Sequence, residues 1–178
     1  MNHFTTYTKI KIDPLNAKNE EICLTDIAHS LSLLCRANGH LPHFYSVAQH
    51  SINCMQEALA RGYSKRVQLG CLLHDASEAY LSDITRPVKP HLKGYYEIEK
   101  RLQDQIFNKW ITPSLTEEER KRIFEIDDAI LYCEFVRLMD RKVFEEEPVL
   151  KSTPVLDFVD FSEVENTFIR SFEELVTK

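Results

Sequence analysis

Leu72-Leu73-His74-Asp75-Ala76-Ser77-Glu78-Ala79-Tyr80-Leu81-Ser82-Asp83 is the stretch on which the fold turns. An adjacent His-Asp pair closes an apolar run, Glu78 follows one helical turn later, and Asp83 lies a little beyond. Laid on a helix, Val67, Cys71, His74, Asp75 and Glu78 fall at i, i+4, i+7, i+8 and i+11, the inward stripe of an amphipathic helix. Three ionisable residues therefore stand where the pattern calls for hydrocarbon. A buried carboxylate is costly unless a partner compensates it, and a metal ion is one such partner.

The flanking chain reads as further helices. Ser64 caps the helix that carries the stretch. Upstream, Ser46-Val47-Ala48-Gln49 has the S-x-x-Q form of a capping box and opens a helix to about Gly62. Its Val47, His50, Cys54 and Ala58 share one face, so His50 points inward. Before it, a helix from Thr25 carries Ile27, Leu31 and Leu34 inward and ends near Asn38-Gly39, with Arg36 in its last turn. Residues 7–12 and 21–24 alternate around a turn at Asp13-Pro14-Leu15-Asn16 and predict a small N-terminal β-hairpin. Downstream, Pro87 and Pro90 keep residues 84–94 out of regular helix. That loop carries Arg86, Lys89 and Lys93 and leaves directly from the acidic helix.

A helix follows over Tyr95–Trp110. Thr116-Glu117-Glu118-Glu119 is a second capping box, opening a long helix to about Met139. One face of it holds Phe124, Asp128, Leu131 and Phe135, and another holds Ile123, Asp127, Ile130 and Glu134. Periodicity does not choose between the two aspartates. Residues 145–161 read as a surface loop, and Ser162-Glu163-Val164-Glu165 caps a last helix. No repeat or domain boundary interrupts the pattern. The expectation is an all-α bundle of about six or more helices with a small hairpin, residues 1–178 forming a single domain.

Composition narrows the class. The 178 residues, 43% hydrophobic and 28% charged, suit a soluble globular protein with a sizeable core. Four glycines disfavour a Gly-rich phosphate loop, and a net charge of -6 argues against a nucleic-acid binder. The five cysteines are odd in number and contain no C-x-x-C, which predicts reduced core thiols and a cytoplasmic setting. The N-terminus lacks the form of a signal peptide, and no apolar run approaches the ~20 residues that span a bilayer.

His50, His74, Asp75 and one of Asp127 or Asp128 thus converge from three helices. Two imidazoles and two carboxylates suit one divalent transition metal, Mn, Co, Zn or Fe, better than Mg. Glu78 and Asp83 are near enough in sequence to orient water or donate a proton.

The ordered set H…HD…D resembles that of the HD-domain phosphohydrolases. His74-Asp75-Ala76-Ser77-Glu78, Asp83 and Pro87-Val88-Lys89 resemble the HD-A-S-E, Asp and P-V-K elements of bacterial 5′-deoxynucleotidases. Cys35-Arg36-Ala37-Asn38-Gly39-His40 and His43-Phe44-Tyr45-Ser46-Val47-Ala48-Gln49-His50 resemble a branch carried by prophages. The likeness covers about residues 20–140, and the tail after Glu147 adds little to it. It implies His50, His74, Asp75 and Asp128 as metal ligands, the last because the family's aspartate is followed by alanine. It further implies Glu78 as proton donor to the departing sugar oxygen, Asp83 as the carboxylate that positions water or sugar, and Arg36 as the phosphate contact. Lys89 and His43 are substrate-contact candidates. Ala37 stands where deoxy-selective relatives place a tryptophan against the sugar 2′ position. The implied substrate is a small nucleotide, a nucleoside 5′-monophosphate, and relatives imply a homodimer. Other phosphoesters, or a non-catalytic nucleotide sensor on the same scaffold, are the competing readings.

Overall fold

The computed structural model describes residues 3–177. In chain order they form β1 (Phe4–Thr5), β2 (Lys11–Ile12), α1 (Leu24–Leu33), α2 (Val47–Ala60), α3 (Lys65–Leu73), α4 (Glu78–Leu81), α5 (Tyr95–Trp110), α6 (Glu117–Met139) and α7 (Phe161–Val176). The expected helical architecture with a two-stranded antiparallel sheet is what these residues adopt. Met1, Asn2 and Lys178 lie outside the description, and with them part of the stretch read for a leader.

Helix starts fall where the sequence signals them. Ser46 Oγ accepts from the Gln49 amide at 3.1 Å, Ser64 Oγ accepts from Val67 at 3.4 Å, and Thr116 with Glu119 completes a capping box. Each satisfies an amide that a helix start leaves without a partner. The last helix differs. Its cap is Asp160, which accepts from the Ser162 amide, so the cap lies two residues before the expected one.

Helix α2 is central, packing against α1, α3, α6 and α7. Val47, Ala48 and Ala58 of α2 meet Cys71 and Leu72 of α3, Ile126 and Ile130 of α6, and Phe168 of α7 in one buried cluster. Gly70 brings α3 against α6: a Cβ there would fall 2.3 Å from Ile123 Cδ1. That close approach sets the end of α3 opposite the middle of α6.

Three local departures matter. The hairpin pairs Phe4 with Ile12 and Thr5 with Lys11, rather than 7–12 with 21–24. Lys9 has a φ of 72°, which breaks the longer strand. Helix α1 stops at Leu33 instead of running to Asn38-Gly39. Leu34 and Cys35 are extended, and the Arg36 amide donates to Tyr45 O at 2.8 Å. The left-handed turn belongs to Ala37 and Asn38, both at positive φ, outside the helix. Finally, the helix through His74 to Glu78 is interrupted. The i−4 bond expected between Ser77 N and Leu73 O is replaced by the side chain of Gln103 on α5. Its Oε1 accepts from Ser77 N at 3.0 Å, and its Nε2 donates to Leu73 O at 2.7 Å. A side chain set into the ladder this way tightens the local winding, and Ala76, Glu78 and Tyr80 donate to carbonyls three residues back.

The tail after α6 is not a loose addition. Gln49, Asn53 and Glu57, at successive turns of α2, form a polar stripe along it. Gln49 Nε2 donates to Val155 O and Asp157 O. Asn53 both donates to and accepts from the Val155 backbone. Glu57 accepts from the amides of Lys151 and Ser152.

Candidate metal centre

Helix α2 delivers His50 with no exposed surface. Its Nδ1 donates to Glu134 Oε1 at 2.6 Å, which leaves the Nε2 lone pair facing inward. His74 sits at the C-cap of α3. Its Nδ1 donates to Cys71 O at 2.7 Å, so its Nε2 is turned toward the same point. The two Nε2 atoms stand 3.3 Å apart. Asp75 Oδ2 lies 3.3 Å from His74 Nε2 and 4.0 Å from His50 Nε2. Asp127 Oδ1 is 3.1 Å from His50 Nε2 and 3.6 Å from His74 Nε2.

Ligands about 2.1 Å from one ion stand roughly 3 Å from each other, so this donor set fits a single divalent cation. Each imidazole has its second nitrogen fixed by a hydrogen bond, the arrangement that orients histidine ligands. Cys54 Sγ lies 3.5 Å from His50 Nε2, and His50, Cys54 and His74 also form a group that could hold a metal. Burial, with Asp127 nearby, holds the Cys54 thiol well above its usual pKa. The two carboxylates are the more natural anionic donors: burial opposes their charge, but His74 and Arg36 at Asp75, and the two histidines at Asp127, drive both below the usual range.

Asp127, not Asp128, is the aspartate that reaches this point. Asp128 is one residue, about 100°, further round α6, and its Oδ1 accepts from Arg86 Nη1 at 3.0 Å. Arg86 also lies 3.5 Å from Asp127 Oδ2.

Arg36 enters the cluster rather than solvent, because the early end of α1 turns it inward. Its guanidinium lies 3.3 Å from Asp75 Oδ2, 3.0 Å from His50 Nε2 and 3.4 Å from Glu134 Oε2. Burial disfavours its charge, but Glu134, Asp75 and Asp127 outweigh that and keep it protonated. Glu78, at the start of α4, is buried, and its Oε2 has no hydrogen-bond partner among the described residues. Burial first, then the charges of Asp75 and Asp83, push its carboxyl well above the ordinary range. Lys89 Nζ is 3.6 Å from Glu78 Oε1 and 2.7 Å from Glu99 Oε1. Asp83 follows α4 and is half-buried; burial raises its carboxyl too, with Arg36 and Lys89 opposing.

A cavity of about 320 Å³ opens beside His74 and Asp75, walled by Ser77, Lys89, Tyr96 and Gln103. His43 Nε2 donates to Leu156 O at 2.7 Å, tying the connector to the tail. Sequence reasoning did not assign roles to Glu134 and Gln103. The signal for Glu134 was present, since it lies seven residues after Asp127 on the same face of α6.

A family profile described as HD domain matches residues 34–144, more than half of the chain. The uncharacterized protein YfdR of Escherichia coli (strain K12) is 42% identical over 94 residues, 53% of this chain and 50% of that protein. An uncharacterized protein of Rhodobacter capsulatus is 35% identical over 126 residues, 67% of this chain and 64% of that protein. The chain thus spans about half to two thirds of the length of these relatives.

Proposed function

This chain belongs to the HD-domain family, and from that premise we propose that it is a metal-dependent phosphomonoesterase releasing phosphate from nucleoside 5′-monophosphates, with 2′-deoxynucleotides as the preferred class. HD domains bind divalent metals and support metal-dependent hydrolysis. The observation that carries the finer reading is a buried, proton-retaining Glu78 beside four converging donor atoms and a charged Arg36.

A divalent ion held by His50, His74, Asp75 and Asp127 would acidify a water and neutralise a phosphoryl oxygen. The remaining steps belong to the chain. Arg36 holds the phosphoryl oxygens by charge-assisted hydrogen bonds. Glu78, whose carboxyl burial holds well above the ordinary range, gives its proton to the ester oxygen as water bonds to phosphorus and the ester bond breaks. Lys89 steadies the carboxylate that results. Asp83 orients water or the sugar hydroxyl. The cavity beside His74 has room for a nucleoside, with the Tyr96 ring at its wall.

A single phosphoryl group fits better than a polyphosphate. Lys89 is committed to two glutamates and Arg86 to two aspartates, which leaves neither available to a longer anion. Five free thiols suit action in a reducing cytoplasm, and no helix among the described residues is long and apolar enough to cross a membrane. The proposed substrates are small molecules and the proposed assembly is a homodimer.

Phosphate release from paired 2′-deoxy and 2′-hydroxy monophosphates tests this, on protein of known Mn²⁺, Co²⁺, Zn²⁺ or Fe²⁺ content, with and without EDTA. Deoxy monophosphates should turn over only with metal. Release of pyrophosphate or triphosphate would move the activity to another nucleotide, and tight nucleotide binding without turnover would make the protein a sensor. Unchanged activity in His74→Ala would end the metal reading.

A further inference from the structure

Glu134 is a fully buried charge that does not face the donor cluster directly, yet three groups end on it. His50 Nδ1 is 2.6 Å from Oε1, Tyr45 OH donates to the same oxygen at 2.8 Å, and Arg36 Nε lies 3.4 Å from Oε2. The Tyr45 hydroxyl in turn accepts from Asn53 Nδ2 at 2.8 Å. Asn53 is locked by the tail, donating to Val155 O and accepting from Val155 N, both at 3.0 Å. An unbroken chain of hydrogen bonds therefore runs from Val155 through Asn53, Tyr45 and Glu134 to His50 and Arg36. Val155 lies outside the span that matches the HD profile.

We propose that Glu134 is a positioning residue for the site, and that the Val155 backbone works with it through Asn53 and Tyr45. Glu134 holds the proton of His50 on Nδ1, so that Nε2 presents a lone pair, and it fixes the guanidinium of Arg36 in the same act. This rests on His50 being a metal ligand. Carboxylates that support a ligating histidine in this way are commonly worth 10–100-fold in metal affinity.

A purely structural role is the rival, and the tail supplies its own control. Glu57 is equally buried and anchors Lys151 and Ser152, but it has no hydrogen bond to Tyr45 or Glu134. Three readouts apply: Co²⁺ affinity from its visible absorption, the His50 tautomer from imidazole ¹⁵N shifts in metal-free protein at alkaline pH, and thermal midpoint. Glu134→Ala should weaken Co²⁺ binding about 10–100-fold and mix the His50 tautomers. Glu134→Gln, which keeps an acceptor for Nδ1, should recover the tautomer. Tyr45→Phe should shift both readouts in the same direction by less, and it serves if Glu134→Ala does not fold. Glu57→Gln should lower the midpoint while leaving Co²⁺ affinity and tautomer unchanged. Wild-type affinity and tautomer in Glu134→Ala, or in Tyr45→Phe should the alanine variant not fold, would overturn the proposal. If the wild-type protein binds no Co²⁺, the metal reading fails instead, and the tautomer comparison still decides what Glu134 does.

Discussion

Asp127 and Asp128 are neighbours in sequence with opposite employment. Asp127→Asn should cut metal affinity at least tenfold, since it removes a proposed ligand charge. Asp128→Asn loses only the charge of its pair with a half-exposed Arg86 and should leave affinity within about twofold, as surface pairs contribute little. Titration with Mn²⁺ or Co²⁺ separates the two. Glu78 makes a second residue-scale prediction. Its folded pKa lies above its unfolded value, so the folded state holds the proton more tightly. Its stabilising effect is then complete below the unfolded value near 4.5 and is lost as pH rises through the folded pKa. Glu78→Gln should accordingly raise thermal stability at pH 8, by about 1–3 kcal/mol, while lowering kcat by about 10²–10⁴. The alkaline limb of the wild-type rate profile should vanish in the variant. Loss of both activity and stability would show that Glu78 is held for packing. The inward phase of His50, His74 and Asp75 is legible because periodicity is a property of the local chain. The choice between Asp127 and Asp128 is not, because both faces of α6 carry apolar residues and only the rotation of that helix against α3 decides.

At the scale of elements, caps are legible and interruptions are not. Ser46, Ser64 and Thr116 act on amides three residues away, so their signal is contained in the local sequence. Gln103 acts on a helix 26 residues before it, and nothing within residues 72–78 announces the break. Gln103→Ala removes the partner of Ser77 N and leaves Leu73 O with Ala76 N alone. Either Ser77 N joins Leu73 O and rewinds the helix, or it stays unsatisfied at a cost of about 1–3 kcal/mol. Rewinding displaces Glu78 relative to His74 and should lower kcat more than tenfold in a protein that still folds, with KM less affected, whereas an unsatisfied amide should lower the thermal midpoint alone. The end of α1 was misplaced for a related reason: Asn38-Gly39 has turn chemistry, but the pairing of Arg36 with Tyr45 pulls the chain out of the helix first. Gly70→Ala makes the packing test. Helix propensity favours alanine by about 1 kcal/mol, but Ile123 must move to admit the methyl group, and overpacking of this kind costs about 1–3 kcal/mol. A lower thermal midpoint is expected, together with weaker metal binding, because α3 and α6 both contribute to the donor set.

For the molecule as a whole, ligand binding and folding are linked. The site is assembled from α2, the end of α3 and α6, so an ion bound there stabilises the packed state. At a concentration a hundred times its dissociation constant the gain is about 2.7 kcal/mol. The pH dependence has a definite sign. Burial lowers the affinity of His74 for a proton, but Asp75 and Asp127 outweigh it and raise its folded pKa well above 6.5. Proton binding therefore stabilises the metal-free protein fully below the unfolded value, and that contribution is lost as pH rises through the folded one. Metal competes for the same nitrogen, so the midpoint shift on adding Mn²⁺ should grow from pH 6 to pH 8. A shift that shrinks over this range would place the ion elsewhere.

The tail has one more consequence. Residues 149–158 form neither helix nor strand, and Val149 and Val155 are exposed. Yet the amides of Lys151, Ser152 and Val155 end on the buried side chains of Glu57 and Asn53. In deuterated water these three hydrogens should persist as long as those of α2, while the amides around them are lost early. An apparently irregular segment would then exchange in two separate protected patches, tracing the side chains that face it from one helix.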